Sequence, residues 1–135
     1  MRPTVGTMHI AMIGTTAPSH IYPSMAVIAE LVRRGHRVTY AVGDSLRHVV
    51  EPAGVEVVRG SCDDTRSLDE AVRGVDAVIH AAGGGIVKGA GAMMRANCAS
   101  TEALADVAAR AGVGRFVLVS SLAAHRGARR ATEED

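Results

Sequence analysis

The 135-residue chain lacks tryptophan and has one phenylalanine and two tyrosines, so that aromatic residues make up only 2% of it. Apolar residues nevertheless reach 47%, and the core therefore has to be built from Ala, Val, Ile, Leu and Met. A chain of this length suits one domain that buries a single core. Small and branched side chains of this kind favour close packing of helices on a sheet over clusters of aromatic rings.

The chain also lacks an excess of either charge, since 15 basic residues stand against 14 acidic ones. Without a strong electrostatic field, binding to nucleic acid or to an anionic membrane is not predicted. No apolar run reaches the ~18 residues of a membrane span, and the amino terminus has no signal-peptide pattern. We therefore expect a cytoplasmic protein without nucleic-acid or membrane partners.

Cysteines and metal-ligand patterns are equally sparse. Cys62 and Cys98 are the only cysteines, and they stand in no CxxC or Cys/His spacing. Two isolated cysteines in a chain with a large apolar fraction are typical of reduced thiols. The sequence therefore predicts neither a disulfide framework nor a metal site.

What the chain does contain is a repeated alternation of strand and helix patterns. Short apolar runs bounded by turn residues predict five strands, over residues 8–13, 37–42, 55–58, 75–81 and 115–119. The crossovers between parallel strands are expected to be right-handed, which gives an α/β, doubly wound, Rossmann-like sheet in the order 3-2-1-4-5. We expect residues 1–135 to form one such domain, with a polar tail at 128–135.

The helices between these strands are predicted from cap residues and apolar spacing. After a loop over 15–21, Tyr22-Pro23-Ser24 is expected to open the first helix, with Pro23 in the first turn, where its missing N–H costs nothing. Gly35 is expected to end this helix in the left-handed conformation. One long helix is predicted over 92–111, and Gly112 is expected to cap it.

Two motifs occur together in the first half of the chain: His-x-x-Pro-Ser at residues 20–24 and Arg-Gly-His-Arg-Val-Thr-Tyr at 34–40. With the first strand ahead of them, they make residues 8–58 similar to the amino-terminal lobe of macrolide-type glycosyltransferases, whose GT-B fold has two Rossmann-like lobes. The resemblance implies that His20 is a general base for an acceptor hydroxyl. An Asp just beyond the fourth strand usually orients that base.

The second half carries different motifs, at residues 67–82, 97–101 and 111–121. These runs make residues 60–127 similar to extended or atypical short-chain dehydrogenases, which include NAD-dependent epimerases and dehydratases. The resemblance implies a cofactor site at the carboxyl ends of the strands. Its candidate residues are Gly14, Thr15, Asp44, Ala81, Gly83, Asn97 and Ser120.

Neither family's functional set is complete in this sequence. Dehydrogenase-type cofactor binding needs a glycine-rich loop after the first strand, but the stretch 14–20 has one glycine and a proline without an N–H donor. Ser61-Cys62 stands where that family has an Asp and an apolar residue near the adenine. Its catalytic Tyr-x-x-x-Lys is missing, because Lys88 is the only lysine and both tyrosines lie upstream. His20 lacks its orienting Asp, since Ala81-Ala82-Gly83 follows the fourth strand.

Several candidate residues also have a purely structural interpretation. Asp44 or Ser45 suits the N-cap of a short helix. The glycines at 83–85 suit a flexible loop, and Asn97 suits the polar face of a helix. His80, within the fourth predicted strand, suits a hydrogen-bonded histidine at the edge of the core.

Three functional hypotheses follow. The first is a chimeric Rossmann-like scaffold, engineered or naturally recombined, with a seam near residues 55–60 and with neither catalytic activity nor a bound cofactor. The second is a residual nucleotide- or NAD(P)-binding module that uses the crevice beside Gly14 and Gly83. The third is a glycosyltransferase-derived fragment that uses His20 and a nucleotide-sugar. In each case the fifth strand is expected to be an uncovered edge that promotes self-association.

Overall fold

The strands of the computed structural model lie in one parallel sheet with the order β3-β2-β1-β4-β5, as predicted. The structure describes residues 6–14, 18–62, 64–83 and 89–120, without the side chains of 18–20, so the predicted tail at 128–135 lies outside it. The strands are β1 (His9–Ile13), β2 (Arg37–Val42), β3 (Glu56–Arg59), β4 (Ala77–His80) and β5 (Arg115–Leu118).

The helices of the described residues connect these strands. They are α1 (Pro18–Arg33), α2 (Arg47–Val50) between the 3-10 turns Asp44–Leu46 and Glu51–Ala53, α3 (Thr65–Ala71), α4 (Ala90–Met94) and α5 (Ser100–Arg110). A π-helical turn, Arg95–Ala99, joins α4 to α5. The single long helix predicted over 92–111 is therefore interrupted by one wide turn.

Helix α1 begins earlier than the sequence pattern predicts, at Pro18 instead of near Tyr22. Pro18 can take this first position because the N–H groups of a first turn have no partner within the helix. Pro23 consequently lies inside α1, where it cannot donate to the carbonyl four residues earlier. The predicted loop over 15–21 is thus wrong from residue 18 onward, and His20 is the third residue of α1.

Two apolar cores lie on opposite faces of the sheet, because successive side chains of a strand alternate. Helices α1 and α2 cover one face, where Met12 and Tyr40 are buried. Helices α3 and α5 cover the other face, where Ala11 and Ile13 of β1 belong to the same cluster as Leu104 of α5. This second core contains residues from both halves of the sequence, and the pairing of β1 with β4 joins the same halves in the sheet.

Cys62 and Cys98 are not joined by a disulfide. Among the residues that the structure describes, no cluster of His, Cys, Asp and Glu side chains could hold a metal ion. None of the described helices combines the length and the apolar character needed to cross a membrane.

Candidate functional site

The carboxyl ends of the five strands meet at one edge of the sheet, because all the strands are parallel. In sheets of this type, ligands bind at that edge. Backbone hydrogen bonds continue the pairing past the strands: the Ala81 N–H donates to the Ile13 carbonyl at 2.9 Å, and the Val119 N–H donates to the His80 carbonyl at 2.9 Å. We call this region the carboxyl edge, and it is the candidate site.

Gly14, at the end of β1, lies against the ring of Tyr40. A Cβ at residue 14 would lie 1.9 Å from the Tyr40 hydroxyl oxygen and 2.6 Å from its Cζ. Tyr40 is completely buried, and burial raises the pKa of its hydroxyl, an effect that a hydrogen bond with Ser24 opposes. Gly14 therefore has a steric role, which the sequence does not reveal because the contact joins the ends of two different strands.

Gly83 and Asn97 are two predicted site residues that the structure brings together. A Cβ at residue 83 would lie 2.9 Å from the Asn97 side-chain oxygen. Asn97 belongs to the π-helical turn between α4 and α5. Turns of this kind are rare and frequently lie at functional sites. The backbone after β4 and this amide thus form one wall of the carboxyl edge.

A chain of hydrogen bonds runs from the core to Asn97. The Thr101 hydroxyl donates to the Asn97 carbonyl at 2.6 Å and lies 2.9 Å from His80 Nε2. The Thr101 hydroxyl has one hydrogen, and it donates this hydrogen to the Asn97 carbonyl. The Thr101 oxygen therefore has to accept a hydrogen bond from His80, so the proton of the neutral imidazole is on Nε2. Next to Thr101, the Ser100 hydroxyl donates to the Ala96 carbonyl at 2.6 Å. These hydroxyls support the π-helical turn, and His80 is the hydrogen-bonded core histidine that was predicted.

His80 is expected to make folding sensitive to acid. Burial lowers the pKa of His80 from its usual 6.5, so near that pH the unfolded chain binds a proton that the folded chain does not. The stability that this histidine contributes is complete above its unfolded pKa and is lost as the pH falls below it. Urea unfolding at about pH 7.5 and about pH 5 should therefore show a larger loss in the native chain than in His80→Gln.

The exposed His48 provides the control for this experiment. His48→Gln removes an imidazole from the surface and should keep the pH dependence of the native chain. An identical acid response in the native chain and in His80→Gln would show that His80 protonates as readily in the folded chain as in the unfolded one.

Asp44 follows β2 at the carboxyl edge as the first residue of a 3-10 turn. Gly43 occupies the N-cap position without a side-chain hydrogen bond, so the N-cap interpretation of Asp44 or Ser45 is wrong. The Asp44 carboxylate instead lies 3.6 Å from the guanidinium group of Arg59 at the end of β3, and both side chains are largely exposed. An exposed carboxylate in this place is free to accept hydrogen bonds from a ligand hydroxyl.

The other predicted site residues are placed as follows. Ala81 follows β4 and packs against the core under α1, and Ser120 is exposed two residues beyond β5. Thr15 lies outside the described residues, and so does the side chain of His20. Asp44 is separated from Gly83 by β1, because β2 and β4 flank that strand. Among the candidates that the structure describes, Gly83 and Asn97 are thus in contact, whereas Gly14, Asp44, Ala81 and Ser120 follow different strands along the carboxyl edge.

Residues 24–134 match the family model described as NAD(P)H-binding. The chain belongs to the NAD(P)H-binding family. The match begins after the loop that follows β1, so it includes Asp44, Gly83 and Asn97 but neither Gly14 nor Thr15. It also extends into the first half of the chain, across the seam expected near 55–60.

Part of this NAD(P)H-binding chain is also similar to glycosyltransferases. The NDP-glycosyltransferase YjiC of Bacillus licheniformis is 46% identical over 52 residues, which are 38% of this chain and 13% of that protein. The oleandomycin glycosyltransferase of Streptomyces antibioticus is 62% identical over 34 residues, which are 25% of this chain and 8% of that protein. The chain therefore spans only a small part of the length of these relatives.

A solved structure represents the other resemblance. A short-chain dehydrogenase/reductase superfamily protein from Agrobacterium tumefaciens, solved with bound NAD, is 34% identical with a TM-score of 0.59. The alignment covers 82% of this chain and 32% of that one. The two resemblances predicted from the sequence are confirmed, and the chain is a Rossmann module with relatives of both kinds.

Proposed function

We propose that this chain binds the adenosine half of NAD at the carboxyl edge and that it does not turn over a substrate. The observation that carries the proposal is the exposed Asp44 carboxylate directly after β2, within a family match described as NAD(P)H-binding. An acidic residue after the second strand of a Rossmann fold accepts hydrogen bonds from the ribose hydroxyls of NAD.

The residues around Asp44 fit this part of the cofactor. Arg59 lies beside the Asp44 carboxylate and offsets its negative charge. The repulsion between this carboxylate and the negatively charged phosphates of NAD is therefore smaller. Gly60 lets the chain after β3 pass close to β2, because a Cβ there would lie 2.7 Å from the Ala41 Cβ. Ser61 and Cys62 follow at the position that the resemblance assigns to the adenine. No residue is assigned to the pyrophosphate, since 15–17 lie outside the described residues.

The rest of the carboxyl edge offers few groups that could act as an acid or a base on a substrate. NAD supplies a nicotinamide that exchanges hydride, but its use requires an acid–base group next to the substrate. Tyr40 in β2 is completely buried, and Tyr22 lies in α1, so neither of these tyrosines stands beside β5. His20 lacks a carboxylate after β4, where Ala81-Ala82-Gly83 stands. We attribute this combination to a chimera, engineered or recombined, of a glycosyltransferase-like and a dehydrogenase-like half.

Isothermal titration is expected to show that NAD binds and that Asp44→Ala weakens the binding by about ten- to a hundredfold, since a hydrogen bond to a charged group contributes about 1.5–3 kcal/mol. NADP should bind less tightly than NAD, because its 2′-phosphate would meet the Asp44 carboxylate. This preference should shrink in Asp44→Ala, which no longer repels the phosphate.

Asp69→Ala is the matched control. Asp69 lies on α3, is exposed to a similar extent as Asp44, and is 3.8 Å from a guanidinium nitrogen of Arg110. The variant therefore removes one ion-paired carboxylate, as Asp44→Ala does, but at a position outside the carboxyl edge. It should bind NAD as the native chain does. If neither NAD nor ADP-ribose bound at millimolar concentration, the proposal would be wrong, and the hypothesis of a scaffold without a bound cofactor would be favoured. Tighter binding of UDP-glucose than of NAD would favour the glycosyltransferase-derived alternative.

A further inference from the structure

Strand β5 and the residue directly after it carry four consecutive apolar side chains that are exposed. The exposed fractions are 37% for Phe116, 50% for Val117, 53% for Leu118 and 54% for Val119. Side chains alternate along a strand, so this patch covers both faces of the sheet at its margin. Apolar groups that remain exposed in one contiguous patch mark surfaces of association.

The backbone of β5 also has an unpaired side. Among the described residues, β5 pairs only with β4. The Val119 N–H donates to the His80 carbonyl, so the N–H and C=O groups of Val117 and Val119 point toward β4. Because this direction alternates from residue to residue, the N–H and C=O groups of Phe116 and Leu118 point outward. Two donors and two acceptors therefore face away from the sheet.

The opposite margin of the sheet is protected in a way that β5 is not. Strand β3 begins and ends with charged residues, Glu56 and Arg59, each of which has an ion-pair partner. Its apolar residues Val57 and Val58 are partly buried. Charged residues on an outer strand prevent pairing with another chain, and β5 has only Arg115, at its first position.

We infer that β5 is the docking edge for a second copy of this chain, with the two β5 strands antiparallel about Val117. In this arrangement Phe116 lies opposite the partner's Leu118, and each such pair exchanges two backbone hydrogen bonds through the outward-facing groups. Arg115 lies opposite the partner's Val119, so the two cations stay at opposite ends. Apolar groups thus meet apolar groups, which makes the strand complementary to itself under two-fold rotation.

A second copy is the occupant that this strand fits best. A segment of unrelated sequence would be recognised by charge or by a pocket, and residues 116–119 offer neither. The inference does not depend on NAD binding, because Asp44 lies beyond β2, and β1 and β4 separate β2 from β5. The dimer would join the two sheets into one continuous sheet of twice five strands.

The test compares Leu118→Pro with Leu118→Ala by sedimentation equilibrium. Proline removes the outward N–H of residue 118 and leaves the bonds from Val117 and Val119 to β4 in place, whereas alanine keeps that N–H. The native chain should be dimeric. The dissociation constant should rise at least about tenfold further in Leu118→Pro than in Leu118→Ala. Circular dichroism spectra that match the native one establish that both variants are folded.

A second pair of variants keeps the test independent of proline. Val117 faces its own copy across the two-fold axis, so Val117→Lys brings two cations together and should give monomers. Val27→Lys is the control, because Val27 lies on α1 with the same exposed fraction of 50%. A native chain that is monomeric at about a hundred micromolar would overturn the proposal, as that concentration detects even weak dimers. Equal loss of dimer in Val27→Lys, or a persistent dimer in Leu118→Pro, would also overturn it.

Discussion

Gly14→Ala is expected to lower the Tm of this chain by about 10 °C or more, since overpacking a core typically costs 1–3 kcal/mol and occasionally more. The new Cβ would lie 1.9 Å from the Tyr40 hydroxyl oxygen, well inside any van der Waals contact. A domain of ordinary stability has only about 5–15 kcal/mol to lose, so this substitution removes a large part of it.

The clash cannot be relieved by a small movement, because Tyr40 is held on every side. Its ring is completely buried between the sheet and α1, in a cluster that includes Met12 and Ile28. Gly14 directly continues β1, the central strand, whose pairing with β2 and β4 restrains the backbone. Relief would therefore require α1 or the end of β1 to move away from the sheet.

Two further variants test whether the effect comes from the contact between residue 14 and Tyr40. Gly43→Ala adds the same methyl group after β2, where φ is −69° and nothing lies within 4 Å of the new Cβ, so its Tm should match that of the native chain. Tyr40→Phe in the Gly14→Ala background removes the closest atom but leaves Cζ at 2.6 Å, so it should restore part of the lost Tm. A native Tm for Gly14→Ala in thermal unfolding would show that the ring does not lie against Gly14.

The fold was predictable because its signals are local. Apolar runs and turn residues predicted the five strands, and the rule of right-handed crossovers then gave their order. Gly35 and Gly112 have the positive φ values expected of residues that end helices, +84° and +73°. The start of α1 was not predictable in the same way. Pro18 and Pro23 both suit a first turn, and the choice between them depends on where the chain leaves β1, which no local pattern determines.

The contacts of the candidate site were less predictable, because they join residues that are distant in sequence. The hydrogen bond between His80 and Thr101 spans 21 residues, and the contact of Gly14 with Tyr40 links two strands. The resemblance did single out Gly83 and Asn97, but not their contact. That contact depends on the π-helical turn, for which the pair Ser100-Thr101, with hydroxyls able to bind carbonyls four residues back, is the one signal in the sequence.

The seam between the two resembled halves leads to the second large prediction, which concerns Leu104→Ala. Leu104 is completely buried in α5, and it belongs to the cluster that also contains Ala11, Ile13 and Ala41 of the first half. Truncation of a buried leucine to alanine costs about 2–5 kcal/mol, so the Tm should fall by about 10 °C. Glu102→Ala, an exposed change in the same helix, should leave the Tm within about a degree or two.

The same variant also shows whether the glycosyltransferase-like and dehydrogenase-like halves unfold together. Both tyrosines, Tyr22 and Tyr40, lie in the first half, so tyrosine fluorescence reports on that half, while far-UV circular dichroism reports on all the helices. Since one core and the pairing of β1 with β4 connect the halves, Leu104→Ala should shift both signals by the same amount in a single transition. If fluorescence kept its native midpoint while circular dichroism shifted, the halves would unfold separately. Coincident shifts would mean that segments resembling two families have become one cooperative unit, because a core that keeps its volume and its apolar pattern accepts new neighbours.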